Sequence, residues 1–338
     1  MRNSTIPTLI FSQNAEMIKM GFISRQIDKI YKSVLFRRHD PDGSIFYFSH
    51  NDFDGLSTEE FSFKSKRGHL LHGNFYCYPN HRTDRLVVFE HGMGNGHNGY
   101  FREIEHIAKQ GYLVYSYDHT GCNKSEGEHI HGLSGSLSDL DDCINALTKD
   151  GRFTEEQISV IGHSWGGFSS LNILNFHPNL YSIVAMSGFM SIPVMHRQIV
   201  PVPFRKQLLD LERHTNPAFA ESNAIDVLSK TDRPFLIIHS TDDKTVSHRL
   251  NFLMLQKSLS NKENIEFLSV SGSGHSPHYT AEAFAYKEDF FKKYVKLRKK
   301  KKLQTPEQRK NLISSYDWYK MTEQNGEVWN RIFVFLDK

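Results

Sequence analysis

A serine set between glycines constrains this chain more than any other feature. Ile158, Val160 and Ile161 form a short apolar, β-branched run, and Phe168, Leu171, Ile173, Leu174 and Phe176 recur at helical spacing. Between the two runs lie Gly162, His163, Ser164, Trp165 and Gly166. A serine in a sharp bend between a buried strand and a helix points its hydroxyl out of the backbone. Crowding in such a bend requires almost no side chain two positions before and two after it. The helix that starts at Trp165 also turns its N-terminal amides toward any negative charge beside Ser164. A plain glycine-rich turn with a surface serine is the competing reading, and partners later in the chain decide between the two.

At 338 residues the chain can bury a large core, as one α/β domain with additions or as two small domains. Its apolar and charged fractions, 38% and 23%, are those of a soluble globular protein. No run approaches the length needed to cross a bilayer. Residues 6–11 are briefly apolar but are broken by Pro7 and lack a cleavage pattern, so no signal peptide is expected. Cys77, Cys122 and Cys143 are odd in number and share no tight spacing. They fit unpaired thiols in a reducing compartment, and a cytoplasmic location is expected.

A net charge of +3 is too small to argue for nucleic acid. The charge is uneven, however, with eight basic residues and no acidic one from Lys292 to Lys302. A solvated helix end whose cations complement the dipole is preferred there over a binding patch, for which an anionic membrane would be the partner.

Along the chain, a helical extension is expected over residues 1–60, centred on 13–32. The stretches 61–65 and 69–78, joined by a short turn, read as an antiparallel hairpin. Buried strands are expected at 85–90, 112–117, 158–161, 181–186, 234–239 and 265–270, with helices at 100–110, 137–148, after 165, at 246–259 and from 281 onward. This alternation implies a mostly parallel sheet with helices on both faces. Residues 188–230, with four prolines and helical patches near 205–213 and 218–228, interrupt the alternation as an insertion across the top of the sheet. The core is thus expected at 61–187 and 231–295, and a basic and aromatic extension at 296–338 is expected to dock on it.

A serine hydroxyl is a poor nucleophile until a base removes its proton, and the base needs a third group to orient it. Open α/β sheets place such groups on loops at the carboxyl ends of strands. Two loops qualify after Ser164, one holding Asp242 and Asp243 and the other His275. His275 is the expected general base and acid and Asp243 its orienting carboxylate, although physics alone does not separate Asp243 from Asp242. Amide donors for a developing oxyanion are expected from Trp165, and from Met93 in the loop containing Gly92, Gly94 and Gly96. The spacing of those glycines does not reproduce a dinucleotide-binding loop. His91, His163 and Met190 are expected to line the pocket, with His163 packing beneath the elbow as the alternative. His129 and His131 read as a polar loop, since no third metal ligand accompanies them.

His91 to Gly94, the stretch from Gly111 through Asp118, His119, Thr120 and Gly121 to Ser125, Glu126 and Gly127, and Gly162 to Gly167 resemble the α/β-hydrolase superfamily. They are most similar to its monoacylglycerol-lipase-like, serine aminopeptidase S33 group of lysophospholipases and esterases. The resemblance covers about residues 61–295. It implies an eight-stranded sheet, a lid after the sixth strand, no cofactor, and hydrolysis through an acyl-serine. It also favours Asp243, which stands three residues before Val246. Thr120 and Cys122 depart from the usual residues of the group. The chain is therefore expected to be a serine hydrolase acting on a small-molecule carboxylic ester such as a lysophospholipid, a monoacylglycerol or a short acyl ester. The same triad could serve a peptidase or amidase, an acyltransferase or a thioesterase; a non-catalytic binding module has no need of all three residues.

Overall fold

The strands of the sheet centre alternate perfectly between two cores. Leu86 and Val88 of β3 (Leu86–Glu90) face one core while Val87 and Phe89 face the other, and all four are buried. This is the period-two rule for a strand covered on both faces. The computed structural model describes residues 21, 23–41, 43–94 and 96–338. Before β3 come a helix α1 (23–35) and the hairpin β1 (Ser57–Lys64) and β2 (Leu70–Cys77). After it come α2 (Phe101–Lys109), β4 (Leu113–Tyr117), α3 (Gly135–Lys149), β5 (Ile158–His163), α4 (Trp165–Asn172) and β6 (Ser182–Met186). There follow α5 (Ile192–Ile199), α6 (Arg205–Thr215), α7 (Ala224–Leu228), β7 (Phe235–Ser240), α8 (Phe252–Ser258) and β8 (Ile265–Val270). The chain closes with α9 (Ala281–Lys299), α10 (Pro306–Ser314), α11 (Trp318–Met321) and α12 (Gly326–Leu336).

The eight strands form one sheet in the order β1-β2-β4-β3-β5-β6-β7-β8. β2 is antiparallel to both neighbours and the rest are parallel. One face is covered by α3, α4 and α8 through residues such as Leu140, Ile144, Phe168 and Phe252. The other is covered by α2 and α12 through Ile104, Ile107, Trp329, Ile332 and Phe335. The parallel strands all end at one edge, so the loops after β3, β4, β5, β7 and β8 meet there.

Residues 188–230 contain α5, α6 and α7. Their Met190, Ile192, Leu208 and Leu228 merge with the first core, and Phe189 stacks on Phe168 with ring centroids 4.5 Å apart. Buried Glu212 of α6 ties this insertion to two other parts of the chain. It accepts hydrogen bonds from the Leu133 amide at 2.8 Å, the Ser134 hydroxyl at 3.2 Å and the Tyr31 hydroxyl of α1 at 2.6 Å.

Several boundaries differ from the sequence-based expectation, each for a local reason. β1 begins at Ser57 rather than 61, because residues 57–60 form the exposed half of an edge strand and carry no apolar alternation. α5 lies outside the expected helical patches; its Pro193 stands in the first helical turn, where a proline removes no intrahelical bond. The helix expected at 246–259 is limited to Phe252–Ser258; residues 244–251 form turns, at the start of which the Asp243 carboxylate holds the amides of Thr245 and Val246. The core does not end at 295. α9, α10 and α11 form a helical insertion with its own small core of Phe290, Leu303, Leu312 and Met321, and α12 then returns to cover the sheet. Of the expected N-terminal helix, residues 23–35 are helical and 1–20 lie outside the described residues. Among the described residues, no helix is long and apolar enough to cross a membrane.

Candidate active site

Ser164 sits at the end of β5 with φ 59° and ψ −110°, a conformation that residues other than glycine rarely adopt. A Cβ on Gly162 would stand 2.3 Å from the Gly166 carbonyl oxygen, so the bend admits no larger residue at either position. Two backbone bonds hold the bend: the Ser164 amide donates to the Met186 carbonyl at 2.9 Å, and the Phe168 amide to the Ser164 carbonyl at 3.0 Å.

The loops after β7 and β8 bring Asp243 and His275 to this serine. His275 Nε2 lies 2.7 Å from Ser164 Oγ, and its Nδ1 lies 2.8 Å from Asp243 Oδ2. A carboxylate only accepts, so Nδ1 carries the proton. Nε2 is then the acceptor for the serine hydroxyl. Burial alone would push the Asp243 carboxyl up. Hydrogen bonds from His239, His275 and the Val246 amide outweigh burial and hold it well below the usual carboxylate range. His239 Nε2 approaches the same Asp243 Oδ2 at 3.1 Å.

Asp242 has a different position. Its carboxylate accepts from the Ser240 hydroxyl at 2.5 Å and from the amides of Gly272 and Gly274 at 3.0 and 3.3 Å. It fastens the loop carrying His275 to the loop carrying Asp243 and does not touch the imidazole.

The glycine loop after β3 packs directly on the serine. A Cβ on Gly92 would stand 3.2 Å from Ser164 Cβ and 2.3 Å from Tyr100 Oη, so only glycine permits this approach. Met93 follows Gly92 in the chain. Trp165 is the first residue of α4, and its amide has no acceptor within the helix. The same loop is anchored from behind by Asp118, which accepts from the His97 amide at 2.9 Å and His97 Nδ1 at 2.8 Å. Tyr76 Oη completes this buried chain, 2.9 Å from His97 Nε2.

The structure does not place His91, His163 and Met190 as walls of an open pocket beside Ser164. His91 is buried; it accepts from the His119 amide through Nε2 at 3.1 Å, so its Nδ1 donates to the Gly92 carbonyl at 2.7 Å. His163 is buried with both ring nitrogens engaged, through Nε2 to the His275 carbonyl at 2.6 Å and through Nδ1 to the Tyr100 hydroxyl at 2.9 Å. Burial and the neighbouring His278 and His275 hold the His163 imidazole well below its ordinary value, and therefore neutral. Met190 is also buried and borders a separate hollow of about 450 Å³ with Arg197 and Glu221. In each case the polar backbone of a neighbouring loop, or the core itself, claims the side chain.

Beneath the elbow lies a buried charge group that the sequence reading did not single out. His119 Nε2 is 3.2 Å from Glu90 Oε2 and its Nδ1 is 3.5 Å from Asp139 Oδ2, and its ring is 4.9 Å from that of Trp165. Burial opposes the charge on His119, but Glu90 and Asp139 overcome it and raise the imidazole to about 9. A second buried pair joins His278 Nε2 to Glu103 Oε1 at 3.0 Å, next to His163. The signal available for these residues was their polarity at the ends of apolar strands: Glu90 closes β3, and Asp118 and His119 follow β4.

This sheet order, with a serine on a strained strand-to-helix bend and a histidine and an acid on the loops after β8 and β7, defines the α/β-hydrolase class. The chain has the α/β-hydrolase fold. Residues 81–233 match the family described as serine aminopeptidase, S33. A mouse monoglyceride lipase is 29% identical over 110 residues, which are 32% of this chain and 35% of that enzyme. The match thus spans about a third of that relative's length. An α/β hydrolase domain-containing protein 17C from Xenopus tropicalis is 24% identical over 243 residues, 70% of each chain. Among solved structures, an esterase from Pyrococcus furiosus superposes with a TM-score of 0.56 at 18% identity, covering 78% of this chain and 98% of that one.

Proposed function

We propose that this protein is a serine hydrolase that cleaves a carboxylic ester through an acyl-serine intermediate. The continuous chain from Ser164 Oγ through His275 to Asp243 carries the reading, with heavy-atom separations of 2.7 and 2.8 Å. In this scheme the Ser164 oxygen attacks the ester carbonyl while its proton passes to His275 Nε2. The amides of Met93 and Trp165 donate to the oxyanion. His275, now charged and paired with Asp243, returns the proton to the departing alcohol. Water then attacks the acyl-serine with His275 as base, and free acid leaves. Removing either oxyanion donor would cost about 10²–10³ in turnover, so catalysis depends on the Gly92 loop as well as on the triad.

The substrate favoured is a monoacylglycerol, a lysophospholipid or a short acyl ester. The mouse relative is named a monoglyceride lipase and the Pyrococcus structure an esterase, and both names agree with this class. Residues 188–230 would act as the cap that selects the leaving group. A second reading, cleavage of an aminoacyl amide, is favoured by the aminopeptidase description of the matching family. Turnover of p-nitrophenyl esters of graded chain length, set against aminoacyl and peptidyl amides, tests the two. Faster ester turnover is expected, and faster amide turnover would reverse the order. Labelling by a fluorophosphonate that persists in Ser164→Ala would overturn the assignment of the nucleophile.

A further inference from the structure

The solvent face of α9 combines two features that seldom occur together without a partner. Phe291 and Val295, one helical turn apart, are 38% and 47% exposed. They form the floor of a shallow groove of about 530 Å³ whose other walls are Glu288, Lys292, Lys296 and Lys299. Beyond it the basic stretch continues to Lys302, and all eight of its cations are exposed. Cations complementing the helix dipole would account for the last turn only. They do not account for apolar side chains left in water between lysines on the turns before it.

The position of this groove relates it to the candidate active site. Phe291 also borders a narrow recess whose opposite wall is Asn98 and Gly99. Those two residues lie six and seven positions after Gly92, which packs on Ser164. Phe46, 39% exposed, lines the same recess. The groove and the recess thus share Phe291, and the recess reaches Asn98 and Gly99.

We propose that the face of α9 from Phe291 to Lys299, together with the lysines that follow it to Lys302, docks on an anionic lipid bilayer. The lysines would meet anionic headgroups, and Phe291, Val295 and Phe46 would enter the boundary between headgroups and acyl chains. A flat anionic surface offering apolar depth satisfies both features at once. A second copy of this face would oppose cations to cations, and a nucleic acid would leave the aliphatic Val295 without an apolar partner. Docking does not depend on the hydrolase reading. Delivery of surface-held esters to Ser164 does rest on it.

The test is co-sedimentation of the full chain with vesicles of phosphatidylcholine alone or with about one third phosphatidylglycerol, at low and high salt. Binding at least about tenfold stronger to the anionic vesicles, and lost at high salt, is expected. Lys292→Glu with Lys296→Glu and Lys299→Glu should remove about tenfold or more of it. Phe291→Ser with Val295→Ser, which leaves the charge unchanged, should weaken it several-fold. Ser164→Ala should sediment like the parent protein, and the charge variant should hydrolyse soluble p-nitrophenyl acetate at the parent rate. If no ester is turned over by any of these proteins while the vesicle series holds, the hydrolase reading fails and the docking stands. Equal binding to neutral vesicles, undiminished binding by the triple variant, or tighter binding to a short RNA duplex than to anionic vesicles overturns the docking.

Discussion

His163 Nε2 donates to the backbone carbonyl of His275 at 2.6 Å, while its Nδ1 accepts from the Tyr100 hydroxyl at 2.9 Å. One imidazole, adjacent to Ser164 in the chain, thus spans the loop that carries the base and the segment that packs Gly92 on the serine. The two other residues lie 112 and 63 positions away.

His163 is accordingly a positioning residue. His163→Phe removes both bonds and should lower kcat by about 10–100-fold with little change in KM, since a displacement of about 1 Å at the reacting groups costs this much. His163 is buried and neutral, so the shape of the pH–rate profile should survive the substitution. A profile whose limbs move would show that His163 itself exchanges the proton.

Asp243 and Asp242 adjoin in sequence but face different partners. Asp243→Asn should reduce turnover by up to about 10⁴-fold, because the amide no longer fixes the tautomer of His275. Asp242→Asn keeps an oxygen for the Gly272 and Gly274 amides and should cost much less. Steady-state kinetics of the two variants decide the assignment, and a larger loss at Asp242 would reverse it.

The Glu90–His119–Asp139 group links stability to pH. The His119 imidazole is raised from 6.5 to about 9, so its contribution is fully present below about 6.5 and is lost as pH rises through about 9. Melting temperature should therefore fall between pH 7 and 10. His119→Gln should remove that component of the slope and lower stability near pH 7 by about 3–5 kcal/mol, since Glu90 and Asp139 lose their buried counter-ion. A variant whose melting curve keeps the parent's dependence across this range would place the titration elsewhere.

Tyr31 joins α1 to the insertion through Glu212 at 2.6 Å and His196 Nε2 at 2.9 Å. Tyr31→Phe deletes one hydroxyl and leaves two buried groups short of a partner. A loss of about 1–3 kcal/mol is expected from the shift in urea midpoint. An unchanged midpoint would mean that water replaces the hydroxyl.

What could be read from the sequence follows from how local each signal is. β3 and β5 are legible because a strand buried on both faces carries apolar residues on each, as Leu86 to Phe89 and Ile158, Val160 and Ile161 do, and the elbow because its glycines stand two positions before and after the serine. Ser164, Asp243 and His275 could be proposed because each falls just after such a strand, in an order that one class of fold uses. The role of His163 was not legible, because its partners are a backbone carbonyl and a hydroxyl that only folding brings near. His91 was misplaced for the same reason. α12 falls within the expected extension at 296–338 because α9 to α11 separate it from the loop of His275. Its apolar spacing was visible, but nothing in the sequence said which surface it would cover.

The placement of α12 bears on how the chain is made. Its Trp329, Ile332 and Phe335 seal the side of the sheet on which Val87, Phe89 and Ile161 lie. Those strand residues leave the ribosome long before residue 336 is polymerised. A nascent chain must therefore hold an oily, half-clad sheet until α12 emerges, and cellular chaperones have that interval in which to engage it.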